Sequence, residues 1–312
     1  MEVRNVTIVR EIFLLGLNFE PSLEIILFMV FLLIYVVTVL GNALIIALIC
    51  TDHRLQIPMY FFLSNLSAIE IFMTTSVMPK MLANLLSERK TISFVGCFIQ
   101  SYFYFFMGST EFILFAAMSF DRYMAICYPL SYPILMSGKV CVKIVIGSWI
   151  GGFFSVFLST VLKARLTYCN NVINHFFCDS APLLHLSCQD ITMIEVVDFL
   201  VSLILLLGSL SFTATSYIYI ISTIVKIPSA EGRKKAFGTC ASHFTVVSMG
   251  YGISIFVYVR PSQSDSMSLN KALTIFSGIL TPFLNPFIFS LRNEQMKEVL
   301  RDVLKKMSFK IK

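Results

Sequence analysis

Hydrophobic residues in this chain are collected into seven long runs that short polar segments separate. The runs cover residues 23–50, 58–82, 97–127, 140–162, 195–225, 236–259 and 269–290. Each is long enough to cross the hydrocarbon core of a bilayer, which takes about 20 helical residues. The runs do not alternate between apolar and polar residues over about 10 positions, as the strands of a membrane barrel would. The pattern therefore predicts an all-α membrane protein built as a seven-transmembrane helix bundle.

The segment after the seventh run has a different pattern and is too charged to span a membrane. Its apolar positions recur every three or four residues, at Met296, Val299, Leu300, Val303, Leu304 and Met307. That spacing predicts a short amphipathic eighth helix lying on the membrane surface. We therefore divide the chain into an N-terminal segment (1–22), a transmembrane domain (23–290) and a tail (291–312).

The composition supports a membrane protein, and the charges indicate its orientation. The chain is 57% hydrophobic and 13% charged, and a soluble domain carries about twice that charged fraction. Residues 1–22 contain no apolar stretch that ends in a small-residue cleavage site, so we expect the first run to serve as both targeting signal and first span. Basic residues follow the fifth and seventh runs, at Lys226, Arg233, Lys234, Lys235, Arg292, Lys297, Arg301, Lys305, Lys306, Lys310 and Lys312.

The positive-inside rule makes the side with these basic residues cytoplasmic. We therefore expect a multi-pass protein of the plasma membrane with an extracellular N-terminus. The tripeptide "NVT" at Asn5 is a glycosylation sequon, which is useful only on the outer side.

The eight cysteines divide between the two sides of the membrane. Four fall on the outer side, at Cys97, Cys169, Cys178 and Cys188. An even set in an oxidising environment predicts two disulfides, but four cysteines allow three pairings and spacing does not choose among them. The other four are expected to be ordinary small apolar residues, at Cys50, Cys127, Cys141 and Cys240.

Two acids lie well inside apolar runs, Glu70 in the second and Glu111 in the third. An ionised carboxylate at that depth costs several kcal/mol and needs a partner. In one interpretation the two acids are protonated and hydrogen-bonded to neighbours such as Asn285. In the other, the same three residues share a cation, for which sodium is the candidate because it prefers hard oxygen ligands.

Five sequence motifs resemble, in order and spacing, the signatures of vertebrate odorant receptors, which are rhodopsin-like (class A) G-protein-coupled receptors. They are "PMYFFLSNLS" (58–67), "MSFDRYMAICYPLSY" (118–132), "NVINHFFCD" (171–179), "KAFGTCASHFTVV" (235–247) and "NPFIFSLRN" (285–293). The resemblance covers nearly the whole chain. It implies coupling to the heterotrimeric olfactory stimulatory G protein, and hence a rise in cyclic AMP. It also implies the disulfide pairs Cys97–Cys178 and Cys169–Cys188.

Three positions depart from the family pattern. Phe120 stands where the family usually has Tyr, and Tyr128 where it usually has His. Phe289 replaces the usual Tyr of the NPxxY pattern, and the loss of that hydroxyl is expected to weaken the polar network that holds an active state.

Asp121 and Arg122 stand at the cytoplasmic end of the third run. A charge pair at a helix end is often only an interfacial anchor, with its charges reaching toward water. The surrounding motif favours a switch, in which Asp121 and groups on the sixth span hold Arg122 at rest and release it toward the G protein. The resemblance adds further switch residues, namely Tyr217, Asn285 and Pro286. Pro282 and Pro286 remove backbone donors and are expected to kink the seventh span.

The ligand pocket is expected among the outer halves of the third, fifth, sixth and seventh spans. On the third span, residues on one face are Tyr104, Phe105, Gly108, Ser109 and Phe112. By resemblance the facing positions are Val201, Ser202, Leu205, Tyr251, Ser254, Ile255, Tyr258, Ile275 and Ile279. Each aliphatic residue alone is more typical of helix packing, but the set describes an apolar, aromatic site with a few hydroxyls.

Tyr104 occupies the position where aminergic receptors keep an Asp for the ligand amine, and no acid or base replaces it. We therefore expect small, neutral, mostly apolar volatile ligands that carry at most one hydroxyl or carbonyl.

Motifs of enzymes are lacking in the sequence. The histidines are scattered over both sides of the membrane, no His/Cys spacing suggests a zinc site, and there is no Gly-rich phosphate loop. We expect an odorant, a G protein and the lipid bilayer as partners, no nucleic acid, and no cofactor apart from the candidate sodium ion. Two alternatives remain: a chemoreceptor of the same fold with a non-olfactory role, and a transporter or channel, for which buried acids would also serve.

Overall fold

Long helices make up most of the chain in the computed structural model, which describes residues 9–16, 20–259 and 266–310. A helix covers each of the seven predicted runs, and we number these helices the first to the seventh span. The first six are Pro21–Thr51, Pro58–Leu85, Phe94–Cys127, Gly138–Ala164, Thr192–Val225 and Ala230–Val259. The third span lies at the centre, packed against the second, fourth and fifth spans.

The seventh span consists of three consecutive pieces. An α-helix (Ser266–Ile275) leads into one π-helical turn (Phe276–Leu280), and a second α-helix (Thr281–Arg292) follows. In the π turn the N–H of Thr281 donates to the carbonyl of Phe276, five residues earlier, and the Thr281 hydroxyl donates to the same oxygen at 3.1 Å. Because Pro282 has no N–H, the regular α-helical bond to the carbonyl four residues earlier cannot form at this point.

Pro286 interrupts the main-chain hydrogen bonding of the helix a second time, and a side chain of the first span binds there. Pro286 has no N–H to donate to the carbonyl of Pro282, four residues earlier. That carbonyl instead accepts a hydrogen bond at 3.3 Å from the side-chain amide of Asn42. Next to it, Gly41 brings the first span so close that a Cβ there would be 3.2 Å from the Pro286 ring. The first and seventh spans are therefore joined beside Pro286.

Six helices of the described residues are long and apolar enough to cross a membrane. The sixth span, Ala230–Val259, is long enough with 30 residues but is not among these six. It begins with Glu231, Arg233 and Lys234 and carries Ser, Thr, Gly and His residues further along. It nevertheless packs within the bundle, between the fifth and seventh spans.

Three short strands form a sheet that the expectation of an all-α protein did not include. They are β1 (Glu11–Leu14), β2 (Thr91–Ser93) and β3 (Val172–Ile173), and β1 lies in the middle, antiparallel to β2 and parallel to β3. We call this sheet, together with the loop 165–191 between the fourth and fifth spans, the lid. The end of the bundle that carries it is the lid end, and the opposite end, with the basic loops, is the basic end.

The eighth helix, Glu294–Lys310, follows the seventh span at the basic end. Met296 and Val299 on its apolar face are fully buried against the bundle. On its polar face Asp302 accepts a hydrogen bond at 2.9 Å from Arg54, which belongs to the short 3₁₀ turn after the first span. Packing and this ion pair together hold the eighth helix against the bundle.

Candidate functional site

Two disulfides hold the lid together. Cys97 at the start of the third span is bonded to Cys178 of the loop, with Cα atoms 5.3 Å apart. Cys169 is bonded to Cys188 within the loop, with Cα atoms 5.5 Å apart. These are the two pairs that the family resemblance implies. The lid is thereby tied covalently to the third span.

Gln100, one turn further along the third span, adds polar contacts at the same place. Its side-chain oxygen accepts a hydrogen bond at 3.0 Å from the N–H of Cys178. Its side-chain amide donates at 3.0 Å to the carbonyl of Ser76 in the second span, near the helix-interior Pro79. Gln100 therefore connects the lid, the second span and the third span, a role that the sequence pattern did not reveal.

Tyr104 lies directly beneath the lid. Its ring centroid is 4.8 Å from that of Phe177, a lid residue. Ile275 and Ile279 of the seventh span pack in the same cluster, which includes Phe176 and Phe177. Three of the predicted pocket residues, one from the third span and two from the seventh, are thus brought together under the lid.

A second group of predicted pocket residues meets deeper in the bundle. The rings of Phe112 and Tyr251 are 5.4 Å apart, and Ile255 packs against the same cluster. The Tyr251 hydroxyl shares a hydrogen bond of 3.4 Å with Thr213. Through these two contacts Tyr251 joins the sixth span to the third and fifth spans.

The remaining predicted pocket positions whose side chains the structure describes are half-buried. They are Phe105, Gly108, Ser109, Val201, Ser202, Leu205 and Ser254. Tyr258 belongs to the sixth span, but its side chain lies outside the part that the structure describes, and so does the sequon at Asn5.

Buried oxygen atoms collect around Glu70 in the middle of the bundle. Glu70 is 1% exposed, and one of its carboxylate oxygens accepts a hydrogen bond from the side-chain amide of Asn285. Asn42 and Glu111 also interact with the Glu70 carboxylate. Within the described residues, the second oxygen of Glu70 and the side-chain oxygens of Asn42 and Asn285 have no hydrogen-bond partner. We call these four residues the acid cluster, and its oxygen atoms are of the kind that bind hard cations.

The charge pair at the basic end of the third span is buried. Asp121 is 0% and Arg122 5% exposed, and the Arg122 Nε donates to the Asp121 Oδ2 at 2.9 Å. The other carboxylate oxygen accepts a hydrogen bond at 2.7 Å from the hydroxyl of Tyr132, in the short helix Tyr132–Leu135. Tyr132 lies in the motif that carries the resemblance, but the sequence did not show that it would hold the acid. In the described residues, Asp121 is the side chain that holds Arg122, and we find no hydrogen bond from Arg122 to the sixth span.

The sixth span faces Arg122 across a small cavity. The cavity has a volume of about 20 Å³, room for about one water molecule, and its lining includes Arg122, His243, Phe289 and Asn293. His243 shares a hydrogen bond of 2.5 Å with the hydroxyl of Tyr217, so the fifth and sixth spans are joined beside the cavity. His243 was one of the scattered histidines in the sequence, and only the packing brings it to Tyr217.

A second buried ion pair lies at the lid end. Lys163 of the fourth span and Asp198 of the fifth approach to 2.6 Å, and the Lys163 side chain is only 9% exposed. Ser159 and Ser180 donate hydrogen bonds to the two oxygens of the same carboxylate. Because Ser180 begins a short lid helix, the pair connects the fourth span, the fifth span and the lid. The available signal was weak, because Lys163 directly follows the fourth run and Asp198 is one of two acids at the start of the fifth.

Two titratable groups of the lid are strongly affected by their surroundings. Burial and, to a smaller extent, the nearby charge of Lys271 lower the pKa of His175 to about 3. Burial raises the pKa of Asp179 to about 6, although a hydrogen bond from Ser180 and the charge of Lys163 oppose the increase. At neutral pH the lid therefore contains an uncharged imidazole.

Seven helices, a pocket region under a disulfide-bonded lid and a buried charge pair at the opposite end define the class of seven-helix membrane receptors. Residues 31–307 match the family model described as olfactory receptor. Among similar proteins, Olfactory receptor 6J1 of Homo sapiens is 51% identical over 296 residues, covering 95% of this chain and 85% of the relative. Olfactory receptor 6E1 of Mus musculus is 47% identical over 304 residues, covering 97% of each chain. This chain belongs to the olfactory receptor family.

Proposed function

We propose that this protein is an odorant receptor that binds small, neutral, mostly apolar volatile molecules and activates the olfactory stimulatory G protein, raising cyclic AMP. The observation that carries the proposal is the set of apolar and aromatic residues around Tyr104, which packs under the lid. The titratable ring packed against this set, His175, has its centroid 4.8 Å from that of Phe177 and is uncharged at neutral pH. Membership of the olfactory receptor family and the names of its relatives support the same function.

The proposed signal runs from the lid end to the basic end. A ligand beside Tyr104 and Phe112 would press on Tyr251, which joins the third, fifth and sixth spans. Rearrangement of the sixth span would then disturb the bond between Tyr217 and His243 and open the cavity beside Arg122. Release of Arg122 from Asp121 would complete a surface for the G protein.

The proposed orientation places the lid outside the cell and the basic end in the cytoplasm of a plasma-membrane receptor. The two disulfides at the lid end support it, because disulfides form in oxidising compartments. The basic residues of the fifth-to-sixth loop and the eighth helix support it from the other side. Glycosylation at Asn5 belongs to the same proposal.

The test is a screen of volatile compounds against a cyclic AMP reporter, in cells that express the full chain with the olfactory stimulatory G protein. We expect dose-dependent cyclic AMP that disappears in Arg122→Ala while surface staining persists. Arg301→Ala, which removes an exposed arginine of the eighth helix, serves as the control and should leave the response intact. A response that survives Arg122→Ala contradicts the proposed relay, and responses that require no G protein contradict the function.

The hydroxyl groups of the pocket region are proposed to read the oxygen of the ligand. A combined variant, Ser109→Ala with Ser202→Ala and Tyr258→Phe, should therefore lose response to alcohols and carbonyl compounds more than to hydrocarbons. A full dose response in the combined variant would show that these hydroxyls do not contact the ligand.

The acid cluster supports a proposal that a sodium ion is held by Glu70, Glu111 and Asn285. A carboxyl proton could satisfy one of the unpaired oxygens, whereas a cation can bind several at once. We expect sodium chloride to raise the melting temperature of the detergent-solubilised receptor above its value in N-methylglucamine chloride of equal ionic strength. Glu70→Gln should abolish that difference. Equal melting temperatures of the unsubstituted receptor in both salts would favour the protonated arrangement.

A further inference from the structure

Gly278 stands in the middle of the π-helical turn Phe276–Leu280 and is buried. Single π turns inside helices are rare and occur mostly at functional sites. Pro282 follows four residues later and has no N–H for the carbonyl of Gly278. The α-helical hydrogen bond to that carbonyl is therefore missing in any case, and a π turn here gives up no hydrogen bond at that position. The turn faces the third span beneath the lid, where Tyr104 also lies.

The ring of Tyr104 fills the space that a side chain at position 278 would need. A Cβ atom on Gly278 would be 2.8 Å from the Tyr104 Oη, 3.1 Å from its Cε2 and 3.4 Å from its Cζ. Real Cβ atoms essentially never have a neighbour closer than 3.0 Å, so an added methyl group must move the ring. Phe177 of the lid lies 4.8 Å from the same ring, centroid to centroid. Tyr104 is thus held between the lid and the seventh span.

We infer that Gly278 is a positioning residue of the ligand pocket: its missing side chain forms a seat for Tyr104, and this seat sets how much space remains for the ligand. The inference rests on the proposed function, since it takes the region around Tyr104 as the ligand site. Gly278 lies between Ile275 and Ile279 in sequence order, and both of these were predicted to line the pocket, but a glycine gives no side-chain signal of its own.

The seat also connects the pocket to the seventh span. A ligand that pushes the Tyr104 ring out of its seat removes a contact from the π turn. The hydroxyl of Thr281 closes that turn, and Asn285 of the acid cluster lies one helical turn further on. Movement of one aromatic ring is therefore transmitted to the helix that carries Asn285 and Pro286.

Four full-length variants test the inference: Gly278→Ala, Tyr104→Phe, both together, and Gly252→Ala as the matched control. Gly252 lies in the sixth span, and a Cβ there has no neighbour within 4 Å. The first measurement needs no ligand and is the melting temperature of the detergent-solubilised receptor. We expect Gly278→Ala to lower it and Gly252→Ala not to. We also expect Tyr104→Phe to reduce the loss caused by Gly278→Ala, because it removes the nearest atom of the ring.

The second measurement is the cyclic AMP response to a homologous series of straight-chain aldehydes and alcohols, from short to long chains. A displaced Tyr104 ring takes space from the proposed ligand site, so Gly278→Ala should raise the half-maximal concentration of the longest active members by roughly tenfold. The shortest active members should change little. The response of Gly252→Ala should match that of the unsubstituted receptor across the series.

The results that overturn the inference are distinct. Equal loss of melting temperature from Gly278→Ala with and without Tyr104→Phe shows that the two residues do not contact each other. A uniform loss of response across all chain lengths shows that the contact packs helices and does not size the pocket. An unsubstituted receptor that ignores the whole series contradicts the proposed ligand class, and with it the pocket role of Gly278, while the melting temperatures still decide whether the seat exists.

Discussion

The buried ion pair between Lys163 and Asp198 offers the sharpest test of how the lid end is held together. Lys163→Met removes the ammonium group and leaves Asp198 with its two serine partners but without a compensating charge. Removing one partner of a fully buried pair costs about 3–5 kcal/mol. Because the Asp198 side chain is 29% exposed, solvent can screen part of the remaining charge, and we expect about 2–3 kcal/mol of lost stability.

A second ion pair in the same chain provides the matched control. Lys297 and Glu294 on the eighth helix approach to 2.8 Å, but their side chains are 30% and 81% exposed. Exposed pairs at this helical spacing contribute only about 0.2–0.5 kcal/mol. Lys297→Met should therefore change the melting temperature little. If each kcal/mol shifts the melting temperature by about 2–4 °C, Lys163→Met should lower it by roughly 5–10 °C.

A thiol-reactive fluorescent dye can report this unfolding in detergent. Two free cysteines, Cys141 and Cys240, are buried and become reactive only when the helices separate. The charge-exchanged variant, Lys163→Asp with Asp198→Lys, should recover part of the loss, because it restores a pair of opposite charges. Equal melting temperatures for Lys163→Met and Lys297→Met would refute the reasoning. A charge-exchanged variant less stable than Lys163→Met would show that geometry, not charge, governs the site.

Three further predictions concern the fourth span, the basic end and the lid. Gly152→Ala should lower the melting temperature by several degrees, because its Cβ would be 2.9 Å from a backbone nitrogen of the third span, whereas Gly147→Ala on the same helix meets open space and should not. Tyr132→Phe removes a hydrogen bond to the acid of the basic-end pair and should raise basal cyclic AMP at equal surface expression; unchanged basal activity contradicts a holding role. His175 has its pKa lowered to about 3 by burial, so folding stability is full above pH 6.5, the ordinary value, and is lost as pH falls below it. Between pH 7.5 and 5.5 His175 should account for a loss of about 1 kcal/mol, which His175→Leu should remove and exposed His185→Gln should not. Asp179, whose pKa is raised to about 6, acts in the opposite direction in both variants, so the measurement is the difference between their pH profiles; equal pH profiles in both variants would show that other groups control the response.

Hydrophobic runs located the spans more closely than the ends of the helices. The third run and its helix both end at residue 127, whereas other helices extend beyond their runs. The second run was predicted to end at residue 82, and the helix continues to Leu85. The sixth was predicted to begin at residue 236, and the helix begins at Ala230. Main-chain hydrogen bonding continues through polar and charged residues, which no apolar pattern marks. The differences therefore fall at the ends of the helices, outside the apolar runs.

The small sheet was beyond the reach of sequence patterns for a different reason. Its strands have two to four residues each, and β1 pairs with partners far away along the chain. Strands this short carry no recognisable alternation, and their pairing depends on how the helices bring the loops together.

The candidate site was predictable by residue type but not by contact. Tyr104, Asp121 and Arg122 stood out because of their chemistry and their place in the runs. The bond between Tyr217 and His243 arises only when two helices pack side by side, since the two residues lie 26 positions apart. The seat at Gly278 is a property of the space around a residue without a side chain, and no sequence pattern records that space.

The position of β1 in the sheet has a consequence for the order in which the receptor is assembled. The strands β2 and β3 pair with β1 and, in the described residues, not with each other. The ribosome makes β1 first, yet its parallel partner β3 leaves the ribosome about 160 residues later, after four spans have been inserted. The disulfide to Cys178, which closes 81 residues of chain, forms in the same late interval. The first strand of the sheet is therefore made long before its last partner, and the sheet is completed only when half of the bundle already exists.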